Sequence, residues 1–171
     1  MKALIIMDMQ EVTVGKNHAQ MFSYEDELLQ NINRRIEEVK DAEDTEVYYI
    51  KNLMKKNLIN RLAPVQVYQG SPEAELAEGL FVISNNIFEK YKPDAFSNDA
   101  FAEQLKRHNI TQVEIIGVDG GGCVAYTALG AARNGYSVLL NEKCIGTVMT
   151  KQALKMRKKL DAAGVLWKEM M

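Results

Sequence analysis

QVEIIGVDGGGCVAYTALGAARNGYSVLL, residues 112–140, carries the clearest structural signal in the chain. Residues 112–118 form an apolar run rich in β-branched side chains and read as a strand. Gly120, Gly121 and Gly122 form a tight turn. Residues 123–134 then read as a helix, and Gly135 stands where a left-handed C-cap belongs. Residues 136–140 are a further strand. Strand, helix and strand in this order make a βαβ unit, with parallel strands and a right-handed crossover.

The same alternation extends in both directions. Residues 148–160 read as a helix and 164–167 as a last short strand. At the other end, residues 2–7 are a continuous apolar run closed by Asp8, which suits a strand buried on both faces. Leu28, Leu29, Ile32, Ile36 and Val39 recur at helical spacing within residues 24–42, with Ser23 as a plausible N-cap. Residues 46–50 (EVYYI) form a second strand. Residues 51–79 carry Pro64, Gly70 and Pro72 and read as an irregular segment, which in a compact domain is more often functional than idle. Residues 86–90 are a short strand, with 81–83 competing for that role, and 99–107 are a short helix. The fold class is a single α/β domain of parallel βαβ units.

Composition narrows the function. The chain has 171 residues, a net charge of −2 and no dominant basic face, which argues against nucleic acid. Lys155, Arg157, Lys158 and Lys159 read as the solvated face of a helix. No apolar run reaches the roughly 18 residues of a membrane span. MKALIIMDMQ has one basic residue and no cleavage site, and so reads as a strand and not as a signal peptide. The two cysteines, Cys123 and Cys144, form neither a disulfide framework nor a CxxC metal motif. A reducing cytoplasm is the expected compartment, and Cys144 reads as a core residue.

In open parallel sheets, ligands bind beyond the carboxyl ends of the strands. Asp8, Lys90 and Cys123 all fall at or just past such ends, so residues far apart in sequence can meet in one cleft. Cys123 opens a helix after three glycines, where unpaired N–H groups and the helix dipole stabilise a thiolate and can hold an oxyanion. A buried inert cysteine is the competing reading. Asp8 reads as a general base or as a loop cap. Lys90 alone carries no signal.

Three blocks together resemble the isochorismatase-like cysteine hydrolases. They are ALIIMDMQ (residues 3–10), KYKPDAF (90–96) and GVDGGGCVAYTALGAARNGYSVLL (117–140). The resemblance spans nearly the whole chain. It implies a six-stranded parallel sheet in a doubly wound, three-layer α/β/α (Rossmann-like) fold. It implies Asp8 as base, Lys90 as the cation and Cys123 as nucleophile in hydrolysis of a small amide, carbamoyl or imide compound. It also implies a cis peptide near Val118–Asp119, an oxyanion hole at Gly122 and Cys123, no cofactor, and a homo-oligomer (dimer or tetramer). Gln10, Phe96, Tyr126 and the loop at residues 69–71 are expected to line the cleft, with core packing an equal alternative for Phe96 and Tyr126.

The chain departs from the family pattern at several points. Residues 48–57 lack the Asp-x-His element through which nicotinamidase-type members bind metal, so no metal is expected. The two histidines, His18 and His108, lie elsewhere; His18 could line the cleft, and His108 reads as solvated. Gly120 stands where the family has Thr, Gly130 where it has an acidic residue, and Asp94 where it has Ser. Glu11-Val12 replaces an Asp-Phe pair. A binding or scaffold member with little turnover is the alternative reading. A nucleotide-binding protein is a third, but no GxGxxG follows the first strand.

Overall fold

The computed structural model describes residues 1–168. Its first strand, β1 (Lys2–Met7), is buried from Ala3 onward. Its side chains alternate between two apolar layers: Ala3, Ile5 and Met7 enter one, Leu4 and Ile6 the other. The strands β2 (Thr45–Asn52), β3 (Ile87–Lys90), β4 (Gln112–Val118), β5 (Ser137–Gly146) and β6 (Leu166–Lys168) complete the sheet. Every pairing is parallel, in the order β3-β2-β1-β4-β5-β6. The expected six-stranded, doubly wound sheet is therefore present.

Helices cover both faces. Phe101 and Leu105 of α3 (Asp99–Arg107), Val124 and Ala128 of α4 (Cys123–Arg133), and Met156 and Leu160 of α5 (Thr150–Ala162) share a layer with Ile5. Leu28, Ile32, Ile36 and Val39 of α2 (Leu28–Val39) fill the opposite layer. The start of α2 has no side-chain cap, a loss of about 1 kcal/mol. Four buried aliphatics at about 1.5–3 kcal/mol each outweigh it.

The elements differ from expectation in places. The helix expected from residue 24 begins at Leu28, and Ser23 does not cap it. Residues 81–83 form no strand, because the Tyr49 hydroxyl donates to Phe81 O and accepts from Ile83 N, taking the place of a strand partner. β5 runs on to Gly146, past the polar residues Asn141 and Glu142, whose side chains are bonded to Glu114 and Arg157. That extension places Cys144 in the core layer of α2, as expected. A one-turn helix, α1 (Glu11–Val14), has no periodicity to announce it. Gly135 adopts the left-handed conformation its position called for.

β1 and β4 are neighbours whose connections leave on opposite sides, so the crevice past their ends is the topological switch point of the sheet. Gly117 has φ +110° and lies directly against the backbone of Met7, where a side chain would collide with the Met7 carbonyl. This close approach brings Asp8 and the turn before α4 together. Among the described residues no helix is long and apolar enough to cross a membrane.

Candidate active site

Asp8 follows β1 with φ +54°, a left-handed conformation that Asp tolerates better than most residues. It is held there from both sides. Its N–H donates to Ile50 O, and its carbonyl accepts from Gln10 N and from the Thr13 hydroxyl. Lys90 ends β3, opposite Asn52 of β2, and is almost fully buried. A buried ammonium must find acceptors. Lys90 Nζ meets Asp8 Oδ2 at 3.0 Å, Asn52 Oδ1 at 2.9 Å and Cys123 Sγ at 3.1 Å. The three residues singled out at the strand ends thus lie around one nitrogen atom. Asp8 Oδ1 is buried and has no hydrogen-bond partner among the described residues.

Burial raises the Asp8 carboxyl above its ordinary value of 3.8, against the pull of Lys90. Burial alone would lower the Lys90 ammonium, but the charges of Asp8 and Cys123 outweigh it and raise the group. Burial, and then the Asp8 charge, push the Cys123 thiol up to about 12, with Lys90 opposing. This rise runs against the stabilisation of a thiolate expected from the helix end. A helix terminus contributes about 0.3–1 kcal/mol, whereas burying a charge costs several. Lys90 thus lies between a carboxyl and a thiol that burial both raises.

The turn leading to Cys123 accounts for its N–H groups almost completely. The Val118–Asp119 peptide is cis, as expected. Gly120 N donates to Gly146 O, Gly121 N to Asp119 Oδ1, and Gly122 N and Val124 N to Asp119 O. No acceptor among the described residues takes the N–H of Asp119 or Cys123. Gly122 therefore cannot supply the oxyanion donor expected of it, because its N–H is spent inside the turn. Asp119 and Cys123 supply the free pair.

The other expected cleft residues are placed differently. Gln10 is buried, and its side chain donates to Asn52 O and Ala74 O and accepts from Asn52 N. It fixes Asn52, which in turn holds Lys90, and does not face a cleft. Phe96 is half-buried and packs against Phe101 and Tyr136 at 5.4 and 5.6 Å between ring centres, on the edge of the core beside α3. Tyr126 is exposed, one turn beyond Cys123. His18 folds back to Gly15 O, and His108 contacts Glu46. Of the 69–71 loop, Ser71 lines a cavity of about 780 Å³ with Glu11, Val12, Tyr68 and Pro72. A second cavity, of about 480 Å³, lies beside Lys56 and Arg61. Neither is lined by Asp8, Lys90 or Cys123.

Sequence reasoning missed Asn52, Asp119 and Tyr24. Tyr24 lies in the loop before α2, its hydroxyl 3.5 Å from Asp119 Oδ2. Burial first, then the charges of Asp119, Asp8 and Cys123, raise its phenol, which marks it as a neighbour of the site. None of the three has a local pattern; each acts through a contact distant in sequence.

The isochorismatase domain model matches residues 2–165. The chain belongs to the isochorismatase family. No curated protein matches its sequence. Its fold is similar to that of an isochorismatase-like hydrolase from Alkaliphilus metalliredigens: TM-score 0.85, 19% identity, covering 98% of this chain and 94% of the other. It is also similar to pyrazinamidase of Pyrococcus horikoshii, solved in complex with zinc: 0.81, 20%, 99% and 99%. A third similar structure is N-carbamoylsarcosine amidase from Thermoplasma acidophilum: 0.79, 18%, 98% and 95%.

Against this family pattern, the departures acquire physical reasons. The carboxylate of Asp94 occupies the space a side chain at Gly130 would need, and Arg133 pairs with it at 3.3 Å. Thr147 Oγ1 likewise fills the place of a side chain at Gly120. The residues after β2 do not fit a metal. Leu53 is packed with Val12, Val67 and Ala74, and Asn52 is spent on Lys90. Among the described residues no cluster of His, Cys, Asp and Glu could hold a metal ion.

Proposed function

We propose that this isochorismatase-family chain is a cysteine hydrolase that cleaves the C–N bond of a small amide, carbamoyl or imide compound. The observation that carries this reading is the single ammonium, Lys90 Nζ, in contact with both the Asp8 carboxylate and the Cys123 sulfur. Asp8 Oδ1 takes the thiol proton as sulfur attacks the carbonyl carbon. The carbonyl π pair moves to oxygen, where the N–H groups of Asp119 and Cys123 receive it. The C–N bond then breaks, and the amine leaves with the proton from Asp8. Water next attacks the thioester carbonyl, giving a proton to Asp8; the C–S bond then breaks, the sulfur takes that proton back from Asp8, and the acid departs. Lys90 holds Asp8 ionised and offsets the charge that sulfur gains during attack. Such a thiol works in a reducing compartment such as the cytoplasm.

Ammonia or amine release from a panel of small amides and carbamoyl compounds tests this. Turnover by the native protein is expected on at least one of them and should vanish in Cys123→Ala. A binding protein with little turnover is the second reading, and the departures from the family pattern at Gly120, Gly130 and Asp94 favour it. No turnover of any compound by the native protein would support that reading, and turnover undiminished in Cys123→Ala would remove the first.

A further inference from the structure

The carboxylate of Asp119 is buried beside the nucleophile, yet the reaction above gives it nothing to do. Its side chain collects donors from three segments. Oδ1 accepts from Gly121 N at 2.7 Å. Oδ2 accepts from Val148 N at 2.6 Å, from Met149 N at 3.3 Å and from the Tyr24 hydroxyl at 3.5 Å. Its carbonyl takes Gly122 N and Val124 N. One residue thus binds the turn before α4 to the connection between β5 and α5. Hydrogen bonds to an ionised acceptor are roughly twice as strong as neutral ones.

The packing leaves this turn little freedom of its own. Gly121 lies against Met149 and Ala153, and Gly120 against Ile145 and Thr147, with no room for a side chain at either. Tyr24 closes the group from the far side. Its ring packs on Gly146 and stacks on Phe22 at 6.3 Å. With every other N–H in the turn committed, those of Asp119 and Cys123 alone can face a substrate.

We infer that Asp119 is a positioning residue: its carboxylate fixes the nucleophile turn and so aims the free Asp119 and Cys123 N–H groups at the developing oxyanion. The inference rests on the hydrolase reading. It assigns the side chain no contact with substrate. Its loss should therefore weaken binding of an oxyanion-like group and leave the thiol itself as reactive as before.

The probe is propionaldehyde. Addition of the Cys123 thiol forms the S–C bond and opens the C=O π bond, and the thiol proton passes through Asp8 to the new oxygen, which sits where an oxyanion would. Protection of Cys123 from iodoacetamide gives the aldehyde Kd. In Asp119→Asn an amide nitrogen competes with the carboxylate's acceptor role toward the Val148 and Met149 N–H groups, so the Kd should rise at least about tenfold. The iodoacetamide rate without aldehyde should stay within about twofold, because alkylation at a saturated carbon develops no oxyanion. Asp119→Ser, which keeps a smaller acceptor for Gly121 N, is the second variant and should behave alike. An unchanged Kd, or a Kd and an alkylation rate that deteriorate together, would overturn the inference. So would failure of both variants to fold, since the carboxylate would then serve the fold as a whole. Absence of amide turnover in the native protein would instead count against the hydrolase reading, and the aldehyde comparison would still stand.

Discussion

On the proposed mechanism Asp8 acts on Cys123 in two opposite ways: its charge helps push the thiol up to about 12, and its unpartnered oxygen takes the thiol proton. Asp8→Asn should therefore speed alkylation of Cys123 by iodoacetamide at neutral pH while slowing amide turnover about 10²–10⁴-fold. Stopped-time alkylation and ammonia assays on one preparation check this; equal slowing of both would remove Asp8 from the proton path. In the native protein, alkylation should climb about tenfold per pH unit from 7 to 10, because the thiolate fraction grows in that proportion below a pKa of about 12. A plateau near neutrality would mean a resting thiolate. Burial raises the Asp8 carboxyl, so the base is lost to protonation at a higher pH than an ordinary carboxylate would be. The acid limb of the kcat/KM profile should accordingly lie above 3.8. Of these residues, Asp8, Lys90 and Cys123 were legible in the sequence because each sits at a strand end. Asn52 and Asp119 were not, since each matters through contacts to segments 29 to 42 residues away. Gln10 was misread for a related reason: a polar residue beside Asp8 suggests a cleft until its partners across β2 are seen.

Among the elements, α4 depends most on its neighbours. Gly130 in a helix interior costs about 1 kcal/mol against Ala, so Gly130→Ala would stabilise an isolated helix. Here the Asp94 carboxylate stands in the way, and overpacking costs about 1–3 kcal/mol. The overpacking less the helix gain leaves a loss of up to about 2 kcal/mol, so thermal melting of Gly130→Ala should show Tm lower by up to about 8 °C, given roughly 2–4 °C per kcal/mol in a chain of this size. Asp94→Ser combined with Gly130→Ala should recover much of that loss. A single variant more stable than the native protein, as an isolated helix would be, would contradict the collision. The packing partner of Gly130 was hidden in the sequence, because Asp94 arrives from a loop 36 residues earlier. α3 and β4 carried unbroken apolar patterns and ended where those patterns ended. α2 began with its apolar pattern at Leu28 and not at residue 24, because the residues before Leu28 turn toward the site and place Tyr24 beside Asp119.

The molecule as a whole is a sheet whose switch point gathers three distant chain positions. Gly117 is where that gathering is tightest. Gly117→Val would force a β-branched side chain into a left-handed conformation and against the Met7 carbonyl. It should lower Tm and Cys123 alkylation together, as followed by melting and by mass spectrometry, and an unaffected site would show that β1 and β4 need not approach so closely. Alternating strands and helices made the parallel sheet legible from the sequence alone. The order of its strands came from the coordinates alone, because no local pattern records which strand lies beside which. The sharpest test is rapid-quench intact mass spectrometry of the native protein during turnover of an amide it hydrolyses. An adduct with the mass of the acyl group, mapped to Cys123 and absent in Cys123→Ala, is expected. Full turnover with no adduct at Cys123, or an undiminished rate in Cys123→Ala, would contradict nucleophilic attack by this sulfur.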